Sequence, residues 1–112
     1  MNILLVEDDR RVRRMIRLIV EHLADSIFEC SDGAEACELY AVHRPDWVLM
    51  DLILDNLDGI EACRIITSRY PDARIVMVTS HDSEPLRMAA REAGARDYLL
   101  KENLTELPRL LV

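Results

Sequence analysis

No apolar run in this 112-residue chain approaches the length of a membrane span. It opens MNILLVEDD, with no basic flank and no small-residue cleavage site, so nothing resembles a signal peptide. A cytoplasmic protein is the expectation. Glycine is scarce: Gly33, Gly59 and Gly94 lie far apart, so no glycine-rich loop is available to cradle a phosphate or a dinucleotide. Cys30, Cys37 and Cys63 form an odd set without a CxxC pair. Zinc sites and disulfide frameworks need paired spacing, so reduced, mostly buried thiols are expected instead. Positive charge is also in deficit: 14 basic residues face 21 acidic ones, a net charge of -7. That balance argues against bulk binding to nucleic acid or anionic lipid. Linkers, repeats and low-complexity stretches are missing too, and the length suits one domain over 1–112, with nothing left over for an output domain.

What is present is an alternation. Half the residues are apolar, and many fall in short unbroken runs at 3–6, 47–50, 75–78 and 98–100, while Ser26 to Cys30 reads as a further short strand. Amphipathic segments lie between them. Val12, Met15, Ile16, Ile19, Val20 and Leu23 follow the spacing of a helix stripe, with arginines mostly between. SDGAEACELYAVHRP reads as a second helix, with Ser31 or Asp32 near its cap and Pro45 beyond its end. Asp58 is a natural N-cap for a third, with Ile60, Cys63 and Ile66 inward. Leu86, Ala89, Ala90 and Ala93 form a fourth stripe, and Gly94 stands where a helix C-cap belongs. Leu104, Leu107, Leu110 and Leu111 make a short fifth. Continuous rather than alternating apolar runs mark strands covered on both faces. The expected fold is α/β: a doubly wound, five-stranded parallel sheet with five helices, joined by right-handed crossovers.

In such sheets the ligand site lies beyond the carboxyl ends of the strands. The first run ends in Glu7, Asp8 and Asp9, the second in Ser31 and Asp32, and the third in Asp51. The fourth ends in Thr79 and Ser80, and the fifth in Lys101. Crowded carboxylates repel and are costly to desolvate. A divalent cation relieves both, and Mg2+ keeps waters and room for phosphate oxygens. Threonine and lysine supply a hydrogen bond and a positive charge to an incoming anion. The set suits phosphoryl transfer to a carboxylate.

The residues ILLVEDD at 3–9, PDWVLMDLILDNLDG at 45–59, VMVTS at 76–80 and AGARDYLLK at 93–101 resemble the receiver domain of bacterial two-component response regulators. The likeness runs over nearly the whole chain. It implies a flavodoxin-like sheet of order 2-1-3-4-5. It also implies that Asp51 is the phosphoacceptor, taking a phosphoryl group from a phosphohistidine on a histidine kinase or histidine phosphotransfer protein. Asp8, Asp51 and the backbone carbonyl of Ile53 would bind Mg2+, with Glu7 acting through water. Thr79 and Lys101 would hold the phosphoryl group, and Tyr98 would be the aromatic switch that follows Thr79. The face formed by the fourth helix, fifth strand and fifth helix would carry the output, and exposed leucines of the fifth helix would offer a homodimer contact. The protein would be a signalling phosphoacceptor rather than an enzyme, with no direct nucleic-acid or membrane contact. Arg10, Arg11 and Arg14 on the first helix would help dock the histidine-bearing partner, although a solvated helix face explains them as well. Asp9 is assigned to capping that helix, outside the metal shell.

The chain departs from the family pattern in places. Asp55 stands where the family often has proline. Lys101-Glu102 replaces the usual Lys-Pro with its cis bond. A non-proline cis bond costs about 2.5 to 4 kcal/mol, so a trans bond is expected, or a strained one held by its surroundings. DYLLKENL resembles receivers that often precede a LuxR-like helix-turn-helix domain, so the chain is expected to be a free-standing or an excised receiver. Ile53, two residues after Asp51, cannot hydrogen-bond an attacking water, which implies slow self-dephosphorylation. His81, two after Thr79, is read as a surface residue.

Four other readings compete. A haloacid-dehalogenase-type hydrolase needs a second aspartate where Ile53 stands. A calcium loop aligned on Gly59 places Leu54 and Ile65 at ligand positions. A flavodoxin-like cofactor binder wants phosphate-cradling glycines, and the only tryptophan, Trp47, lies in a strand. A phosphorylation-independent interaction module is the remaining alternative, although such modules tend to lose the acidic residues kept here.

Overall fold

A computed structural model describes all residues, 1–112. Five strands are present: β1 (Asn2–Val6), β2 (Ser26–Cys30), β3 (Trp47–Met50), β4 (Ile75–Thr79) and β5 (Asp97–Leu100). They form one sheet of order β2-β1-β3-β4-β5, and every pairing is parallel. The helices are α1 (Arg10–Val20), α2 (Gly33–His43), α3 (Gly59–Arg69), α4 (Glu84–Glu92) and α5 (Leu107–Leu110).

The unbroken apolar runs have a direct cause. Successive strand residues point to opposite faces, and both faces are covered. Leu4, Val6, Val48, Met50, Ile75 and Met77 pack with Ala36 and Tyr40 of α2, Ala62, Cys63 and Ile66 of α3, and Ala90 of α4. Their strand neighbours Ile3, Leu5, Trp47, Leu49, Val76 and Val78 pack on the other side with Ile16 and Val20 of α1 and with Leu104, Leu107 and Leu111. β2 lies at one edge, and its exposed Glu29 is held by Arg13 and Arg17 of α1. A charged, occupied edge strand discourages pairing with another chain.

Helix starts are set by side-chain caps. Asp9 accepts from Arg11 N and Val12 N, so α1 begins two residues before the first apolar position of its stripe. Asp32 caps α2 through Glu35 N, Asp58 caps α3 through Glu61 N, and Ser83 caps α4 through Leu86 N. Gly94 follows α4 at φ +106°, the left-handed conformation that ends a helix at low cost for glycine.

Two expectations need correction. Met15 falls in the apolar stripe, yet it is 51% exposed, because α1 buries a narrower line through Ile16 and Val20. The leucine-rich tail is not one α-helix. Lys101–Glu106 is a 3-10 stretch, and only the turn Leu107–Leu110 is α-helical. Leu104, Leu107 and Leu111 are buried and Leu110 packs partly on the same core, so no exposed leucine ridge is left there for a dimer contact. Every peptide bond is trans, including Lys101-Glu102. Cys30 and Cys63 are buried and Cys37 is half-buried, all as free thiols.

Candidate functional site

The parallel sheet delivers the ends of β1, β3, β4 and β5 to one edge. Glu7 follows β1 and is 1% exposed; Asp51 follows β3 and is 7% exposed; Thr79 ends β4 and is fully buried. Asp51 is placed by backbone bonds on both sides: its N–H donates to Val6 O at 3.0 Å, and Gly59 N–H donates to Leu52 O at 2.8 Å. Gly59 is required by this closeness, since a Cβ there would lie 2.0 Å from Asp51 O. Leu52 and Leu54 anchor the loop in the core, while the Ile53 side chain between them is 54% exposed.

Lys101, the chain's only lysine among 14 basic residues, leaves the end of β5 and reaches both buried carboxylates. Its Nζ lies 2.9 Å from Glu7 Oε1 and 3.0 Å from Asp51 Oδ2. The Asp51 contact is a hydrogen bond. The Glu7 contact is a close charged pair on a buried carboxylate. Glu7 Oε2 is satisfied by Asp9 N–H at 3.0 Å. Burial pushes the Glu7 carboxyl above its ordinary value, and the neighbouring Asp51 charge adds to this; Lys101 and the Asp9 amide offset only part. Burial alone would lower Lys101, but its bonds to Glu7 and Asp51 together outweigh that and raise it.

Asp8 completes the cluster from the exposed side. One carboxylate oxygen from each of Glu7, Asp8 and Asp51 lies within 4.8 Å of the others. Three hard oxygen donors gathered at one strand edge, two of them from buried carboxylates, fit a divalent cation such as Mg2+ that keeps part of its water shell. Asp32 is the carboxylate that stays out, spent on capping α2.

Beside this pocket lies a second set of contacts. Thr79 Oγ1 accepts from His81 N–H at 3.2 Å. The His81 carbonyl accepts from the Tyr98 hydroxyl at 2.6 Å. Burial raises the Tyr98 hydroxyl pKa, against a lowering by Arg87. The Arg87 guanidinium lies 4.5 Å over the Tyr98 ring and pairs with Asp82 at 3.3 Å. Sequence reading assigned Thr79 and Tyr98 but missed Arg87 and the His81 carbonyl, for which spacing carries no signal. On α1, Arg13 bonds the Glu7 carbonyl and joins Arg17 on Glu29. Arg10, Arg11 and Arg14 are exposed and form no ion pair. Asp55 is exposed and belongs to none of these contacts.

A family model described as "Response regulator receiver domain" matches residues 3–111. The chain belongs to this family of two-component signalling proteins. Its sequence is 42% identical over 99 residues to the response regulator MprA of Mycobacterium sp. (strain KMS), covering 88% of this chain and 43% of that protein. It is 42% identical over 101 residues to the MprA of Mycobacterium leprae, covering 90% and 44%. The chain thus spans less than half the length of these curated relatives. Among solved structures, a LuxR-family two-component response regulator from Aurantimonas sp. SI85-9A1 superimposes with a TM-score of 0.89 at 37% identity, covering 96% of this chain and 79% of that one. The BeF3-activated receiver domain of Klebsiella pneumoniae RstA gives 0.82 at 34% identity, covering 98% and 95%. No helix is long and apolar enough to cross a membrane.

Proposed function

We propose that Asp51 is the phosphoacceptor of this receiver. An Asp51 carboxylate oxygen attacks the phosphorus of a phosphohistidine on a histidine kinase or histidine phosphotransfer protein. The new O–P bond forms as the P–N bond breaks, and the electron pair stays on the imidazole nitrogen, which takes up a proton. The observation that carries this reading is the convergence of a nearly buried Asp51 with Lys101 and the carboxylates of Glu7 and Asp8 at one strand edge.

Asp8, Asp51 and the Ile53 carbonyl would hold Mg2+, with Glu7 acting through water. The ion supplies positive charge to the phosphoryl oxygens when bound. Lys101 leaves Asp51 Oδ2 to pair with the phosphoryl group. The Thr79 hydroxyl gives up the His81 amide to donate to a phosphoryl oxygen, and Tyr98 follows. The change is read out on the face of α4, β5 and the 3-10 and α5 segment, by a downstream target or a second copy of the chain. Arg10, Arg11 and Arg14 meet acidic groups of the histidine-bearing partner. The protein is a cytoplasmic signalling phosphoacceptor rather than an enzyme, and residues 1–112 form a single receiver domain.

Beryllofluoride titration with Mg2+, followed by amide chemical shifts, tests the reading. Saturable shifts at Asp51, Thr79 and Lys101 that vanish in Asp51→Asn are expected. Wild-type protein that does not respond would point instead to a phosphorylation-independent interaction module.

A further inference from the structure

Arg13 differs from the exposed, unpaired arginines around it on α1. Only 22% of its side chain is exposed, and it joins two strands. Its Nη1 donates to the Glu7 carbonyl at 2.7 Å, and its Nε lies 3.2 Å from Glu29 Oε1 on β2. Arg17, one helical turn further on, holds the other oxygen of Glu29. The carboxylate on the edge strand therefore braces the Arg13 guanidinium, and the guanidinium holds the backbone just past the end of β1. The Glu7 carbonyl accepts from no backbone amide, so Arg13 supplies its hydrogen bond.

We propose that Arg13 is a positioning residue of the acidic pocket: it holds the Glu7–Asp8 peptide so that Asp8 joins the buried carboxylates. Its value for metal binding rests on the pocket being the Mg2+ and phosphoacceptor site. A peptide unit is a rigid plane, so fixing the Glu7 carbonyl also fixes the Asp8 amide and Cα. Glu7 has other ties. Its N–H donates to Cys30 O at 3.1 Å, and its Oε2 accepts from Asp9 N–H at 3.0 Å. Asp8 has fewer: it is exposed and forms no ion pair, so its aim depends on its backbone. A guanidinium carries its donors in a fixed fork and can meet Glu29 and the carbonyl at once, whereas an ammonium is a point charge on a flexible stem. The sign of the effect separates position from charge. A cation near a dication site repels the dication. On charge alone, removing Arg13 would tighten Mg2+ binding, whereas loss of position weakens it.

The test titrates Mg2+ alone into the labelled full chain and follows the amide shifts of Asp8, Asp51 and Ile53. Arg13→Ala and Arg13→Lys should each weaken Mg2+ binding by about tenfold, the lower end of the loss usual when a group that orients a metal ligand is removed. Lysine keeps the charge, so a purely Coulombic role would leave Arg13→Lys unchanged. Hydrogen exchange without metal reads the same brace independently. The Asp9 amide closes the held segment on Glu7 Oε2, and it should exchange about tenfold faster in Arg13→Lys, while the amides of β3 stay within about twofold. Mg2+ affinity that rises in Arg13→Ala, or stays within about twofold of wild type in both variants, overturns the proposal. So does an Asp9 amide that keeps its wild-type rate. Equal acceleration in β3 would mean that Arg13 only stabilises the fold, which overturns it too. A wild type that binds no Mg2+ while Arg13→Lys still frees the Asp9 amide defeats the metal reading and leaves the positioning role standing. A wild type that binds Mg2+ no better than either variant does defeats the positioning role alone.

Discussion

Replacing Lys101 with methionine keeps the length of the side chain and removes its charge. No other cation pairs with Glu7 or Asp51. At an effective dielectric near 20, each contact at about 3 Å is worth roughly 5.5 kcal/mol in gross Coulomb energy, much of it offset by desolvation of the ammonium. The net loss has a ceiling, because the stranded carboxylates can take up a proton. Glu7 is the readier of the two, since burial already holds its carboxyl above the ordinary 4.5. Protonating such a group at pH 7 costs about 1.4 kcal/mol for each of the two and a half units between 4.5 and 7, roughly 3.4 kcal/mol. Lys101→Met is therefore expected to be destabilised at pH 7 by up to about 3 kcal/mol. The sign of the pH dependence follows. A carboxyl whose folded-state pKa is raised contributes no penalty below its unfolded value, and the penalty grows as pH climbs toward the folded value. The difference between variant and wild type should shrink by about 1.4 kcal/mol per pH unit on acidification, to under about 1 kcal/mol at pH 5. Urea unfolding followed by far-ultraviolet circular dichroism at pH 5, 6 and 7 measures it. No loss at pH 7, or a loss that does not change with pH, refutes the reasoning.

Gly59→Ala should cost about 2 kcal/mol or more in the same urea assay, because its Cβ would meet Asp51 O at 2.0 Å; a neutral result would mean the loop yields freely. At pH 8 an aromatic disulfide reagent should modify one thiol quickly, mapped by mass spectrometry to the half-buried Cys37. Burial pushes Cys30 and Cys63 up to about 12, which leaves roughly one thiolate in ten thousand at that pH; three thiols reacting at one rate would contradict this. Under the phosphoacceptor reading, the exposed apolar Ile53 side chain cannot orient a water. Phosphoryl-Asp51 should then outlast minutes with Mg2+ present, and Ile53→Asn should shorten its life, as a phosphate-release time course would record; a wild-type lifetime of seconds would count against it.

The central strands β1, β3 and β4 were legible because burial on both faces leaves nothing polar inside them. The sheet edge of Glu7, Asp51, Thr79 and Lys101 was legible for the same reason: polarity resumes where each strand ends. The helices were read less well, each for a physical reason. Arg10 and Arg11 belong to α1, yet an apolar stripe cannot register charged residues ahead of its first apolar one. Leucines three apart lie on one line in a 3-10 turn as they do along an α-helix, so the spacing of Leu104 and Leu107 could not tell which would form. Contacts across elements left no trace in spacing at all. Glu29 on β2 holds Arg13 and Arg17, and Arg87 on α4 stacks on Tyr98 of β5; only the packed sheet brings these together.

The choice of lysine at 101 has a physical logic in a chain that otherwise relies on arginine. A guanidinium would lock onto one carboxylate through two parallel bonds, whereas an ammonium is a point charge on a flexible stem. Here one ammonium sits 2.9 Å from Glu7 and 3.0 Å from Asp51. One positive charge thus serves two buried carboxylates. The resting pocket is therefore neutralised incompletely, at some expense in stability, by a group that can leave one oxygen for another without breaking a bidentate pair. An arrangement selected only for stability would replace Glu7 with an apolar residue, since buried ion pairs are commonly no better than well-packed hydrophobic ones. Unrelieved acidic charge beside a mobile cation instead favours the arrival of a further cation and an anion together, the combination that a metal-assisted phosphoryl transfer brings.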